Sequence, residues 1–465
     1  MRRIYFRGGM SPFENFTPGY ILTHNVIGSN VGNFLYLNGV LRSLMVDEDM
    51  ELTPNYYNVN LHDSEYINEN FDCFVIPLAD AFRENFVGEL NGLTKLVKKL
   101  TIPCYVIGVG MKAPYEPDFT QPQPQDEAVT KLVKAVLEKS ACIGIRGELT
   151  GKYLETLGFK EDQDFMVIGC PSMYSRGNRL HSRTPQLDQD SKVCFNSNVA
   201  ASVPNRKFIR LAMEEYDNHY FVGQVLRELR SIYLGAPYEM KVEYNFHNVT
   251  EPIYQDGRLR FFCNVPSWVE FMKDAELTFG SRLHGCIAAV LADAPAVLIT
   301  KDARTRELAA YHHLNTIQEE KLHKGLTLKD IIAKQDFSQI EKQQQENLAR
   351  YARFLEKNDL PNIYSNGQDP ENPPFDRKMR QAEHLEGIVP ISQCNLEEVA
   401  ERNRDYYSCL DERMDYLTNK SIKLSGQLRR TQEELEETKL KLENSPAPFT
   451  QRAVCKVKNI LKSKK

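Results

Sequence analysis

No two cysteines in this chain are spaced as CxxC, and no Cys/His pairing has zinc-ligand spacing. The ten cysteines are scattered, which argues against a structural zinc site and against a disulfide framework. Reduced thiols in a cytoplasm are the expectation. No uncharged apolar run approaches the roughly 20 residues that span a bilayer. The opening "MRRIYFRGGMSPFENFTPGY" has charges but no apolar segment of signal-peptide length, so no export signal is expected. An excess of positive charge is also missing. The net charge is -5, which removes the chain-wide electrostatic case for nucleic acid.

What is present is a soluble-protein composition, 42% hydrophobic and 26% charged, over 465 residues. That length suits two folded units and an appendage. "GYILTH" (19–24), "FDCFVIP" (71–77) and "IPCYVIGVGM" (102–111) read as strands that each lead into a polar loop. "LNGLTKLVKKL" between them and, later, "DEAVTKLVKAVLEKS" have helical spacing. Such alternation predicts a parallel sheet covered on both faces. "SACIGIRGELTGKYLETLGF" predicts a strand over 140–145, then Arg146, then a helix over 147–157 stopped by Gly158. "FMVIGCPSMY" adds a strand and a turn. After a polar gap (175–191) the alternation resumes. "KVCFNSN" and "EMKVEYNF" read as strands, and "PNRKFIRLAMEEYDNHYFVGQVLRELRSIYL" reads as largely helical.

The expected fold is therefore α/β, with two Rossmann-like domains facing a cleft, over 1–178 and 190–365. A Pro-rich linker (366–392) should follow, then a helical or coiled-coil extension (393–445) and a basic tail (446–465). Leu396, Asn403, Leu410, Leu417 and Leu424 recur every seven residues, and a four-residue step leads to Leu428, Leu435 and Leu442. This reads as a coiled-coil seam with one stutter, its second row being Val399, Tyr406, Arg413 and Lys420. It would support a homo-oligomer; the alternative is a single helix packed on the body. The segment 449–465 has six basic residues and no acidic one. It fits either peripheral contact with an anionic membrane or a solvated tail.

Arg146, Arg282 and His284 share one position in the pattern, just past a strand and at the start of a helix. In a parallel sheet such junctions lie on the ligand-binding edge, where free N–H groups and the helix dipole attract anions. Two guanidinium forks suit a small substrate with two anionic groups. In "SRLHG", Arg282 and His284 flank Leu283 on a tight turn, with Ser281 and Gly285 beside them. A histidine there titrates near roughly 6.5 unless perturbed. Nearby arginines would lower its pKa and a bound dianion would raise it. "FNSN" (195–198) fits either sugar hydroxyls or turn chemistry. Asp162 and Asp164 look solvated, so no metal is expected.

These segments resemble polysaccharide pyruvyl transferases. The likeness is carried by "TFGSRLHGCIAAVLADAPAVLI" with "KDARTRELAAYHHL", by the Arg146 segment with "VIGCPSMY", and by the loop "NVIGSNVGN", across residues 18–320. The resemblance implies a two-domain, GT-B-like fold and transfer of the enolpyruvyl unit of phosphoenolpyruvate onto two hydroxyls of a sugar, giving a pyruvate ketal. It implies Arg146 and Arg282 as donor-binding residues, Leu283 against the donor and His284 as the acid. Ser281, Gly285 and Asn30 join them as substrate-binding candidates. No cofactor is implied beyond phosphoenolpyruvate as donor substrate. The acceptor would be a sugar of a cell-surface polysaccharide or its precursor, free or lipid-linked, handled in the cytoplasm or at the inner face of the plasma membrane. Two features depart from the family's pattern: Asn33 stands where members often carry Asp, and "VIPLADAF" replaces a glycine cluster. The rival readings are a nucleotide-sugar glycosyltransferase on similar architecture and an inactive scaffold of an envelope-polysaccharide complex.

Overall fold

The computed structural model describes residues 2–198, 200–237 and 243–443. Through Tyr406 the chain forms one compact unit, and a second unit begins at Tyr407. Among the described residues, twelve strands lie in the first unit. The first sheet contains β1 (Arg3–Phe6), β2 (Glu51–Pro54), β3 (Cys73–Pro77) and β4 (Cys104–Ile107) in the order β2-β1-β3-β4. Strands β5 (Ile143–Ile145) and β6 (Phe165–Val167) pair with each other and continue that sheet through a parallel bridge from Val109 to Ile145. The second sheet contains β7 (Val193–Asn196), β8 (His219–Gly223), β9 (Leu259–Phe261), β10 (Leu277–Gly280), β11 (Ala296–Thr300) and β12 (Thr316–Gln318), ordered β12-β11-β10-β7-β8-β9. Every pairing within these sheets is parallel.

The apolar runs explain this. β3, β4 and β11 are buried at every residue, as strands covered on both faces must be. The strand order reverses between β1 and β3 and again between β7 and β10. Those are the points where loops diverge and a crevice opens at the carboxyl ends of parallel strands. The α/β fold with two Rossmann-like halves is thus the one expected.

Three elements differ from the sequence reading. Residues 19–24 are not a strand but part of a helix, Pro18–His24, because Thr17 caps it (Oγ1 accepts from Tyr20 N, 3.2 Å) and proline occupies the first turn. The sheet instead begins earlier, at β1. The stretch 204–234 is not continuously helical. "HYFVG" inside it forms β8, since three of its five residues are buried between β7 and β9. Of the strand expected at 239–246, residues 239–242 lie outside those described, and 243–246 are not strand.

The chain also returns to the first half. On the helix Gln339–Lys357, Gln344 donates to the carbonyls of Met173 and Gly177, and Arg350 Nε donates to Val167 O at 2.7 Å. Asn358 Oδ1 accepts from the backbone of Ala141 and Cys142. The segment read as a linker, 366–392, carries the helix Pro374–Gln381, whose Asp376 forms a two-bond pair with the buried Arg42. A helix, Leu396–Glu443, follows. Asp405 holds its start to the body, accepting from Gly19 N (2.7 Å) and Tyr233 Oη (2.9 Å). The basic tail at 446–465 lies outside the described residues. Among those described, no helix is long and apolar enough to cross a membrane.

Candidate active site

The carboxyl ends of β3, β5, β10 and β11 bring Asp80, Arg146, His284 and Arg304 to one region. Arg146 follows β5 directly and precedes helix α1 (Glu148–Thr156). It is 1% exposed. Its Nε donates to Gly108 O at 2.8 Å, and its guanidinium lies 5.1 Å from the centre of the Tyr36 ring. Its Nη2 is buried with no hydrogen-bond partner among the described residues. A buried guanidinium donor left in that state is costly unless something anionic can reach it.

His284 lies in the first turn of helix α2 (Leu283–Leu291), directly after β10. Its ring is 6.5 Å from that of Tyr36, and its Nε2 is 3.9 Å from Cys170 Sγ. A Cβ on Gly32 would come within 2.7 Å of its Nδ1, so only glycine lets the first half approach the imidazole this closely. Burial, then Arg146 and Arg304, push the His284 pKa down to about 3, against a smaller raising effect from Asp80. At neutral pH the imidazole is uncharged.

Arg304 and Asp80 were missed by the sequence reading. Arg304 stands on helix α3 (Ala303–Tyr311), after β11, within 3.5 Å of both Asp80 and Asp302. Asp80 lies after β3 in the "VIPLADAF" stretch and also pairs with Arg83 at 3.2 Å. Burial alone would raise the Asp80 pKa, but Arg304, Arg83 and Arg146 outweigh it and hold the carboxylate ionised. The Arg304–Asp80 pair joins the two halves beside the imidazole.

Arg282 is elsewhere. Its Nε donates to Ser197 O (2.5 Å) and its Nη2 to Glu228 Oε1 (3.2 Å), a pair that is almost fully buried. Glu228 Oε2 accepts from the backbone N–H groups of Gln224 and Val225 at 2.6 and 3.0 Å. That loop in turn binds the Gly-Asn loop: Val31 N donates to Gln224 O (2.9 Å), and Asn30 bridges Val225. Arg282 therefore braces the loop on which Asn30 sits, and is not among the charges that act on His284. Asn30 Oδ1 accepts from Gly32 N at 2.9 Å, placing it beside the imidazole through Gly32. Asn33 donates to the carbonyls of Ile27 and Gly28, fixing the same loop. Leu283 is buried, Ser281 Oγ accepts from Asn198 N (3.3 Å), and Gly285 packs against the side chains of Asn196 and Gln224. Asn196 Oδ1 accepts from Arg282 N at 2.8 Å, so the "FNSN" segment shapes the turn before α2.

Two further residues support the site. His312, which ends α3, is neutral, its pKa pushed down to about 3 chiefly by burial. Its Nε2 accepts from Cys170 N at 2.8 Å. Gly169 has φ +69° and would place a Cβ 2.3 Å from that nitrogen, so the turn beneath His284 requires glycine there. Glu307, also on α3, accepts from Thr150 N (2.9 Å) and Thr150 Oγ1 (2.8 Å), tying α3 to the first turn of α1. Burial raises its pKa to about 7, partly opposed by those two bonds and by Arg146. Glu307 also lines a cleft of about 570 Å³ formed by α1, α3 and the helix Gln339–Lys357; Arg146 and His284 do not line it. No group of three metal-ligating side chains occurs among the described residues.

The Glu307 value gives a stability prediction. A carboxyl with a raised folded pKa contributes most while protonated, below about 4.5, and that contribution is lost as pH rises through about 7. Glu307→Gln keeps an acceptor for Thr150 N and cannot ionise. Thermal unfolding should show the variant gaining on the wild type between pH 5 and pH 8, by on the order of 3 kcal/mol. A gap that does not change with pH would contradict the assignment.

In this parallel α/β protein the two halves meet at an uncharged histidine that Arg146 and Arg304 both act on. The family follows from the sequence: the profile described as polysaccharide pyruvyl transferase matches residues 46–302, more than half the chain. The chain belongs to that family, whose members are transferases. The match includes Asp80, Arg146, Arg282 and His284; Asn30 precedes it and Arg304 follows it. No curated protein matches. Solved structures that resemble the chain include the UDP-GlcNAc 2-epimerase of Neisseria meningitidis bound to UDP-GlcNAc, at 11% identity over 77% of this chain and 100% of that one, with a TM-score of 0.37. The UDP-GlcNAc 2-epimerase of Methanocaldococcus jannaschii is 12% identical over 80% and 98% of the two chains, TM-score 0.36. The glycosyltransferase SnogD of Streptomyces nogalater is 9% identical over 82% and 98%, TM-score 0.31.

Proposed function

We propose that this protein transfers the enolpyruvyl group of phosphoenolpyruvate to two hydroxyls of a sugar in a cell-surface polysaccharide or its precursor, forming a pyruvate ketal. The observation that carries this reading is the placement of neutral His284 beside two cationic side chains, Arg146 and Arg304. A donor bearing both a carboxylate and a phosphate matches two guanidinium groups. Its negative charge would also offset the arginines that keep the imidazole unprotonated, so donor binding loads the proton that His284 donates.

In this mechanism His284 gives its proton to the methylene carbon, and C2 becomes an oxocarbenium-like centre held through its anionic groups. One acceptor hydroxyl adds to C2 and its proton restores the imidazolium. The C–O bond to phosphate then breaks, and the second hydroxyl closes the ring, its proton leaving with the phosphate. The sum is phosphoenolpyruvate plus diol giving ketal plus inorganic phosphate, with His284 returned to its starting state.

The test is incubation of the full chain with phosphoenolpyruvate and a panel of sugar acceptors, free and lipid-linked. Phosphate release together with a ketal product in the mass spectrum is expected. Stabilisation by nucleotide sugars with no response to phosphoenolpyruvate would replace this reading with a glycosyltransferase.

A further inference from the structure

The long terminal helix Leu396–Glu443 enters the second unit at Tyr407. Within that unit Leu417, Leu424 and Leu428 are 42%, 55% and 61% exposed, and Met414 is 55% exposed. The pattern that these residues obey is simpler than a seam with a stutter. With Tyr407, Met414, Ser421, Leu428 and Leu435 as one row, Leu410, Leu417 and Leu424 form the other, three residues later in each heptad. The four-residue step from Leu424 to Leu428 is then the ordinary alternation of a heptad, and no break is needed. Arg413 and Lys420, poor residues for a core row, become flanking positions, where charge is expected. The helix runs without interruption through this stretch.

We infer that this stripe pairs, in the same direction and in register, with the same stripe of a second copy of this chain, as a two-stranded coiled coil over residues 407–435 and beyond. Three features favour a second copy as the occupant. Most outward positions are polar, Asp415, Lys423, Arg430, Glu433 and Glu437 among them, and the exposed Tyr416, Ile422 and Leu440 there are isolated, so the one continuous apolar stripe is the face that a partner covers. Same-direction pairing stacks leucine on leucine at 410, 417, 424, 428 and 435. It also sets Glu434 against Lys439 of the second copy and Arg413 and Lys420 against neutral Thr418 and Ser425, so no like charges meet. Gly426, which weakens an isolated helix, lies on the face away from the seam, where it does not interrupt packing.

Sedimentation or light scattering of the full chain at micromolar concentration tests this. Twice the monomer mass is expected. The triple variant Leu417→Glu/Leu424→Glu/Leu428→Glu should return the monomer mass, with the thermal unfolding of the body unchanged. Ile422→Glu, on an outward position that is 66% exposed, should leave the dimer intact. Ser421→Cys should form an interchain disulfide under mild oxidation, since same-direction pairing places the two thiols in one layer. A monomeric wild type, a mass of three or more copies, a dimer that survives the triple variant, or a Ser421→Cys dimer that does not cross-link would each overturn the proposal. None of these outcomes depends on the pyruvyl-transfer reading.

Discussion

Replacing His284 by glutamine is expected to lower turnover with phosphoenolpyruvate and acceptor by about 10²–10⁴. Glutamine has a similar reach and keeps a polar group against Cys170 and the Gly32 turn, but it cannot deliver a proton at neutral pH. The wild-type imidazole starts neutral, with its pKa depressed to about 3 by burial and by Arg146 and Arg304. A bound dianion raises that value, so the complex must bind more protons than the separate partners. Calorimetry in buffers of different ionisation enthalpy should therefore show proton uptake when the wild type binds phosphoenolpyruvate, and less uptake for His284→Gln. Because the histidine value is raised on binding, affinity should tighten as pH falls, more steeply for the wild type than for the variant. Equal uptake by both proteins, or near-normal turnover of the variant, would remove His284 from the acid role. Folding carries the opposite sign. A histidine held neutral stabilises the fold fully above about 6.5 and loses that contribution as pH falls toward 3, and buried His312 adds to the same acid weakness.

The strand–turn–helix junctions were legible in the sequence because they follow from local physics. An apolar run buried on both faces must end at a sheet edge, and a polar residue there faces the crevice. This is why the sequence alone points to Arg146 and His284. Arg282 obeyed the same grammar, yet its side chain is fixed by Glu228, 54 residues away, and no local pattern encodes that pairing. Arg304 and Asp80 were hidden for a related reason. Each sits in an ordinary-looking helix start or loop, and only the docking of the two halves makes them neighbours of the imidazole. "VIPLADAF", which stands where the family's pattern has a glycine cluster, supplies Asp80 in the fold. Long-range packing likewise decides that the helix Gln339–Lys357 returns to the first half, since its amphipathic pattern specifies a buried face but not a partner.

Separating Arg304 from Arg282 is the most informative experiment that remains, because the two arginines are expected to fail in different ways. Arg304 pairs with Asp80 and Asp302 at the longer distance of 3.5 Å and is 26% exposed, a geometry that leaves a donor able to recruit it. Hydrogen bonds to charged groups contribute about 1.5–3 kcal/mol, so Arg304→Gln should raise the KM for phosphoenolpyruvate by roughly 10- to 150-fold with little change in melting temperature. Arg282→Gln instead strands the Glu228 carboxylate in a nearly closed site. Breaking one side of a buried pair costs about 3–5 kcal/mol, and the loop that carries Asn30 loses its brace with it. A large fall in Tm should therefore precede any specific loss of donor affinity. Arg282→Lys should recover part of the stability by keeping a positive charge near Glu228, although lysine lacks the fork that also reaches Ser197 O. If Arg282→Gln melts like the wild type yet no longer binds donor, while Arg304→Gln binds normally, the guanidinium groups have exchanged the roles assigned here. The donor would then have to lie on the Glu228 side of the β10–α2 turn, away from the imidazole.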